Sequence, residues 1–257
     1  MIFFTDLDKT IVYSENLNCV CVEYKDGKGI TYMTQEAIRL LRELLCKENL
    51  TIIPCTLRSI EQTKRINFIS NNSTPILICD NGFSIYKNGE LDLVWDMCMK
   101  NKLRSYPNDL TYDIIHKIVR ENNIPIRQIK SNRDVFFTII FKNEHEIKSY
   151  SNIVTKQIDS TLYKIEMQGR KMYIIPRFLD KVLACHYLKS EMNDWDIITA
   201  GDGFVDESFL KEGNIMIIPN HSELDIPRAI RTVSKGIKAG EEILELINNE
   251  YNNRYKK

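Results

Sequence analysis

The sequence predicts an α/β protein, with a doubly wound, mostly parallel sheet interrupted by an inserted α+β domain. Three observations predict it. Short strands apolar on both faces alternate with amphipathic helices through residue 82. Between residues 83 and 177 the alternation gives way to hairpins and paired strands, and from residue 178 the first rhythm resumes. The chain has 257 residues and is 43% hydrophobic, enough for large cores without disulfide staples.

Ile2, Phe3 and Phe4 begin a buried strand that ends at two acids, Asp6 and Asp8. Residues 17–24 and 30–33 flank a glycine-containing loop and read as a β-hairpin. Thr34 is placed to cap a helix whose apolar stripe is Ala37, Ile38, Leu40, Leu41, Leu44 and Leu45. Residues 50–55 form the next strand, Ser59 caps a helix reaching about residue 70, and residues 75–79 are again strand. Asn88-Gly89 then marks a second hairpin with arms at 83–86 and 91–95. The pattern continues as helix (109–121), strands (124–130 and 135–141), helix (144–158) and strands (162–167 and 171–175). Beyond Asp180 come a helix to about residue 190, strand 197–199, a helix near Glu207, strand 214–218 and a last helix from about 240 to 251, followed by a polar, fraying tail at 252–257.

Lys+Arg and Asp+Glu both number 35, which argues against nucleic acid or an anionic membrane as main partner. Seven cysteines sit mostly among apolar neighbours, in no zinc spacing; Cys19 and Cys21 read as alternate positions of a strand, and all seven as reduced thiols. The four histidines are far apart, and none has the context of a catalytic base. A leader pattern is missing at the N-terminus and no run is long enough to cross a bilayer, so a cytoplasmic location is expected.

Open α/β sheets gather ligands at the carboxyl ends of their strands, and here those ends carry Asp6 and Asp8, Thr56 and Arg58, and Asp202 and Asp206, while Lys181 starts the helix that re-enters the domain. The ordered series DLDKT (6–10), TLR (56–58), Lys181 and GDGFVD (201–206) resembles the four motifs of the haloacid dehalogenase superfamily of phosphotransferases. An insertion between the second and third motifs resembles subclass IIB, whose members include Cof-type and sucrose-phosphatase-like proteins. The resemblance implies a Rossmann-like core formed by residues 1–82 and 178–257, with residues 83–177 as a substrate-selecting cap; Asp80-Asn81-Gly82 would close the first core segment.

It also implies a magnesium-dependent phosphatase acting on a small phosphorylated metabolite, a sugar phosphate among the options, as monomer or homodimer. Asp6 and Asp202 would offer side chains to Mg2+, Asp8 its main-chain carbonyl, and Asp206 would act behind them or through water. Asp6 would attack phosphorus to give an aspartyl-phosphate. Asp8 would protonate the leaving group and later activate water. Thr56 would donate to phosphoryl oxygens, Lys181 would screen charge, and Thr10 would orient the loop or Asp8 through its hydroxyl. Arg58 and Asn220 complete the candidates, on the substrate side.

Two positions depart from the family pattern. Leu57 replaces a customary glycine, and Val205 replaces an asparagine that supports the metal site. Arg127, Lys130, Arg133 and Lys142 either meet a second anionic group or form a solvated edge, and the hairpin bearing Glu23 and Tyr24 is long enough to act as a flap. Two other readings stand beside the phosphatase: a phosphomutase of the same superfamily, and a catalytically weak binding or regulatory protein that retains the fold. A carbon–halogen hydrolase is disfavoured, because that chemistry has less need of an acid at Asp8.

Overall fold

The computed structural model describes residues 1–71, 74–107, 109–194 and 196–255. The chain divides into two compact units, Met1–Asp96 with Asp180–Lys257, and Met97–Leu179.

In the first unit β1 (Ile2–Thr5) is wholly buried. It is followed by the hairpin β2 (Val20–Lys25) and β3 (Lys28–Met33), by α1 (Gln35–Leu45) and by β4 (Thr51–Pro54). Thr34 caps α1 as expected, its Oγ1 accepting from Ala37 N–H at 3.0 Å. The helix read from Ser59 to residue 70 is in fact two short ones, α2 (Ile60–Thr63) and α3 (Asn67–Ser70). Ile66 between them is extended and bridges Glu23 of β2, so a pairing 43 positions away in number, invisible to local periodicity, breaks the helix. Next come β5 (Ile76–Cys79) and the antiparallel hairpin β6 (Ser84–Lys87) and β7 (Glu90–Leu91). Residues 93–95, read as strand, instead begin α4 (Leu93–Ser105), with Asp92 Oδ1 accepting from Trp95 N–H at 3.0 Å.

The second unit holds α5 (Tyr112–Glu121), β8 (Ile126–Asn132), β9 (Phe136–Phe141), α6 (Glu144–Thr155), β10 (Tyr163–Gln168) and β11 (Lys171–Pro176). Its antiparallel sheet has the order β10-β11-β9-β8. Ile115 and Ile118 of α5 and Ile147 and Val154 of α6 share a core with Ile129, Ile139, Phe141, Met172 and Ile174 of the sheet. The chain then returns to the first unit through α7 (Lys181–Met192), β12 (Ile197–Ala200), α8 (Glu207–Leu210), β13 (Ile215–Ile218), a short β14 (Ile230–Arg231) missed in the sequence, and α9 (Ile237–Tyr255). The segment 252–255, expected to fray, is the last turn of α9, and residues 256–257 lie outside the described residues.

The compact units part at Asp96/Met97 and Leu179/Asp180 rather than at 82/83 and 177/178, because β6 pairs with β5 along its whole length and keeps the second hairpin with the first unit. The main sheet runs β14-β13-β12-β1-β4, all parallel, and Cys55 bridges Ile78 in parallel beyond β4. On one face α1 and α9 bring Leu40, Leu41, Leu44, Ile243, Leu244 and Ile247 against Phe3, Ile52, Ile198 and Ile217. Each such side chain contributes about 1.5–3 kcal/mol by leaving water. The register sets β1 between β12 and β4, with Thr5 level with Ala200 and Pro54, so the loops after these three strands open side by side. Among the described residues no helix is long and apolar enough to cross a membrane.

Candidate active site

Asp6 follows β1 directly and is held in register, its N–H donating to Ala200 O at 2.8 Å. Lys181 opens α7, and its Nζ, fully buried, donates to Asp6 Oδ1 at 2.7 Å and to Asp206 Oδ1 at 2.6 Å. The other oxygen of Asp206 accepts from the N–H groups of Asp202 and Gly203 at 3.1 and 3.0 Å, which folds the loop after β12 into a cradle. A Cβ at Gly201 would stand 2.7 Å from that of Asp206, so only glycine lets the loop close so tightly. The helix bearing Lys181 is set by a second close approach. At Gly82, with φ +94°, a Cβ would meet Asp180 O at 2.7 Å, while Asp180 caps α7 through Val182 N–H at 3.1 Å.

One oxygen from each of Asp6, Asp202 and Asp206 lies within 4.8 Å of the others. Three buried carboxylates share a single bonded ammonium, that of Lys181, so negative charge is in surplus and a cation would offset it. Asp202 Oδ1 is buried without a hydrogen-bond partner, and the donor set is all oxygen, so these residues fit a hard cation such as Mg2+. Electrostatics agree. Burial opposes the Lys181 charge, but Asp206 and Asp6 outweigh it and hold the ammonium above the usual lysine range. Without a cation, burial and then the neighbouring acids push Asp6 well above the ordinary carboxylate range, against the pull of Lys181. Burial first, and then Asp206, push Asp202 up to about 7.

The second predicted acid has a different setting. Asp8 is gripped by both arms of Arg58, with Nε to Oδ2 at 2.7 Å and Nη2 to Oδ1 at 2.6 Å. The remaining arm, Nη1, donates to Glu23 Oε2 at 2.8 Å. Arg58 therefore faces Asp8 in this structure rather than open space. Glu23, which the sequence singled out only as part of a flap, is a buried member of the site. Its signal was an acid set between the apolar stretch Val20-Cys21-Val22 and Tyr24.

Thr56 is buried beside this network, its hydroxyl accepting from Arg58 N–H at 3.2 Å. Leu57 keeps a negative φ, so its side chain is accommodated where the family pattern has glycine. The Thr10 hydroxyl, expected to orient the loop, is buried without a partner; the loop is closed instead by backbone bonds from Ile11 and Val12 N–H to Leu7 O, and Tyr13 OH donates to Thr10 O at 3.2 Å. Asn220 is turned to Thr232, donating from Nδ2 to its carbonyl at 3.0 Å, and no bond joins it to the acids among the described residues. His221, passed over in the sequence, braces the Asp8 loop. Its Nδ1 accepts from Gly236 N–H at 3.2 Å, which leaves Nε2 to donate to Lys9 O at 3.0 Å.

A family profile described as sucrose-6F-phosphate phosphohydrolase matches residues 1–239. The chain belongs to this family. It is therefore a phosphatase, a phosphoric monoester hydrolase of the haloacid dehalogenase superfamily. Among curated protein sequences none matches. Solved structures match across nearly the whole length. The sucrose-phosphatase of Synechocystis sp. PCC6803, solved with sucrose and phosphate, is 16% identical with a TM-score of 0.64 over 97% of both chains. The C-terminal domain of C. albicans trehalose-6-phosphate phosphatase is 13% identical, TM-score 0.60, over 97% of this chain and 92% of that one. The subclass IIB sugar phosphatase BT4131 is 14% identical, TM-score 0.57, over 96% and 98%. At such identities the likeness speaks to the fold alone.

Proposed function

We propose that the protein hydrolyses a sugar phosphate with Mg2+ through an aspartyl-phosphate on Asp6. The observation that carries this reading is the cluster of Asp6, Asp202, Asp206 and Lys181 at the ends of β1 and β12 and the start of α7. A phosphate monoester dianion and a carboxylate repel each other, and Mg2+ bound by Asp6, Asp202 and the Asp8 carbonyl, with Asp206 behind them, would cancel that repulsion. Asp6 attacks phosphorus, with Lys181 holding one of its oxygens and leaving the other to the substrate. Thr56, whose oxygen already accepts from Arg58 N–H, keeps its own proton to donate to the phosphoryl group. Asp8 protonates the departing sugar oxygen and then takes a proton from the water that frees Asp6. The Met97–Leu179 unit would select the sugar, in keeping with the family of sucrose phosphatases. Cysteines that are all free support a reducing, cytoplasmic location.

A panel of phosphorylated sugars with Mg2+, scored by released phosphate, tests the reading directly; indifference to chelator would remove the metal from it. Metal binding should also show in stability. In the metal-free protein the raised Asp202 carboxyl keeps a proton that the unfolded chain loses, between the ordinary carboxylate range and about 7. The metal-free fold therefore loses stability as pH rises through that window. Magnesium replaces the protons, so it should raise Tm by a few degrees more at about pH 8 than at about pH 5.5; equal shifts would place the cation elsewhere.

Asp8→Asn should cost about 10²-fold or more in kcat/KM for alkyl phosphates and much less for aryl phosphates, whose leaving groups need little protonation. Equal losses would argue against its role as acid.

A further inference from the structure

We propose that Glu23 is a positioning residue for the reaction, acting through Arg58 to set the orientation of Asp8. The inference rests on the reading of Asp8 as proton donor, and its observations lie in the hairpin after the first motif. In a regular strand buried and exposed positions alternate, yet Val22 and Glu23 are both buried. The β2–β3 register shifts on each side of Glu23, from Cys21 to Glu23 and from Glu23 to Tyr24. Such bulges re-aim one side chain, and here they turn a carboxylate inward. The same residue bridges Ile66, the break between α2 and α3.

Once inside, Glu23 is fully paired. Oε2 accepts from Arg58 Nη1 at 2.8 Å and from Thr31 Oγ1 at 3.2 Å, and Oε1 accepts from Arg65 Nε at 2.9 Å. With its side chain at 0% exposure, it is a fixed post rather than a solvated partner. Arg58 is thereby held in a plane, one arm on Glu23 and two on Asp8. Asp8 itself is 36% exposed at its side chain, and both of its carboxylate oxygens accept from Arg58. A planar fork anchored at its far end transmits orientation, which a lysine or an untethered arginine does not. A general acid must lie within hydrogen-bond reach of the leaving oxygen, and small misplacements cost rate steeply.

A salt-bridge network that merely holds the hairpin down would slow all substrates alike. A network that aims the acid slows those that need the acid. Glu23→Gln, close in volume, should lower kcat/KM about tenfold for alkyl phosphates and less than about threefold for aryl phosphates. Arg58→Lys should show the same selectivity, and it stands in if the Glu23 variant does not fold. In an Asp8→Asn background Glu23→Gln should add no further selectivity. Equal losses for the two substrate classes in both single variants, with Asp8→Asn still selective, would overturn the positioning role alone; loss of selectivity in Asp8→Asn itself would overturn the reading on which it rests.

Discussion

Asp6→Asn is expected to abolish phosphate release, by ~10³-fold or more, from every substrate the enzyme accepts, while Tm stays near the wild-type value. The amide is a poor nucleophile and a weak cation ligand, so both steps assigned to Asp6 fail together. The fold should tolerate it, because Lys181 keeps Asp206 at 2.6 Å and one buried negative charge is removed from a crowded set. Steady-state assay of released phosphate, beside thermal unfolding with and without magnesium, checks both halves. Retained turnover would sink the nucleophile assignment, and a collapsed Tm would mean that Asp6 is chiefly structural.

Lys181→Met should do the reverse to stability while also removing activity. Its ammonium is the buried counter-charge to Asp6 and Asp206, and the ring of Phe209 lies 5.3 Å from Nζ. Deleting one partner of a buried ion network leaves uncompensated charge, at a cost of about 3–5 kcal/mol. The loss should be partly relieved by magnesium or by mild acid, since cations or protons then take up the charge that the lysine carried. A variant with unchanged Tm, insensitive to both, would contradict the electrostatic account of the cluster.

The acids at the strand ends were legible because their signals are local. A wholly apolar strand ending in Asp6-Leu7-Asp8, and a second ending in Gly201-Asp202, show where strands stop and where polar groups must find a partner. Lys181 was legible as the first residue of a helix, but its reach to Asp6, 175 positions away, was not contained in any window. The elements misread were those decided by distant partners. Ile66 interrupts a helix because it pairs with Glu23, and the hairpin of 84–91 belongs to the first unit because it extends β5. The strand expected through residue 95 gave way to α4, where Asp92 supplies the cap. Arg58 looked like a substrate contact, yet it lies between Asp8 and Glu23, 50 and 35 positions away.

By itself, then, the sequence determined the α/β architecture and showed which strands end in acids, because hydrophobic period and strand-end chemistry are properties of neighbouring residues. Only the tertiary structure decided how those acids differ. Asp6, Asp202 and Asp206 are buried around one ammonium with charge left for a cation, while Asp8 stands apart in the grip of Arg58. Burial and long-range pairing set that difference, and neither exists until the chain has brought its distant segments together.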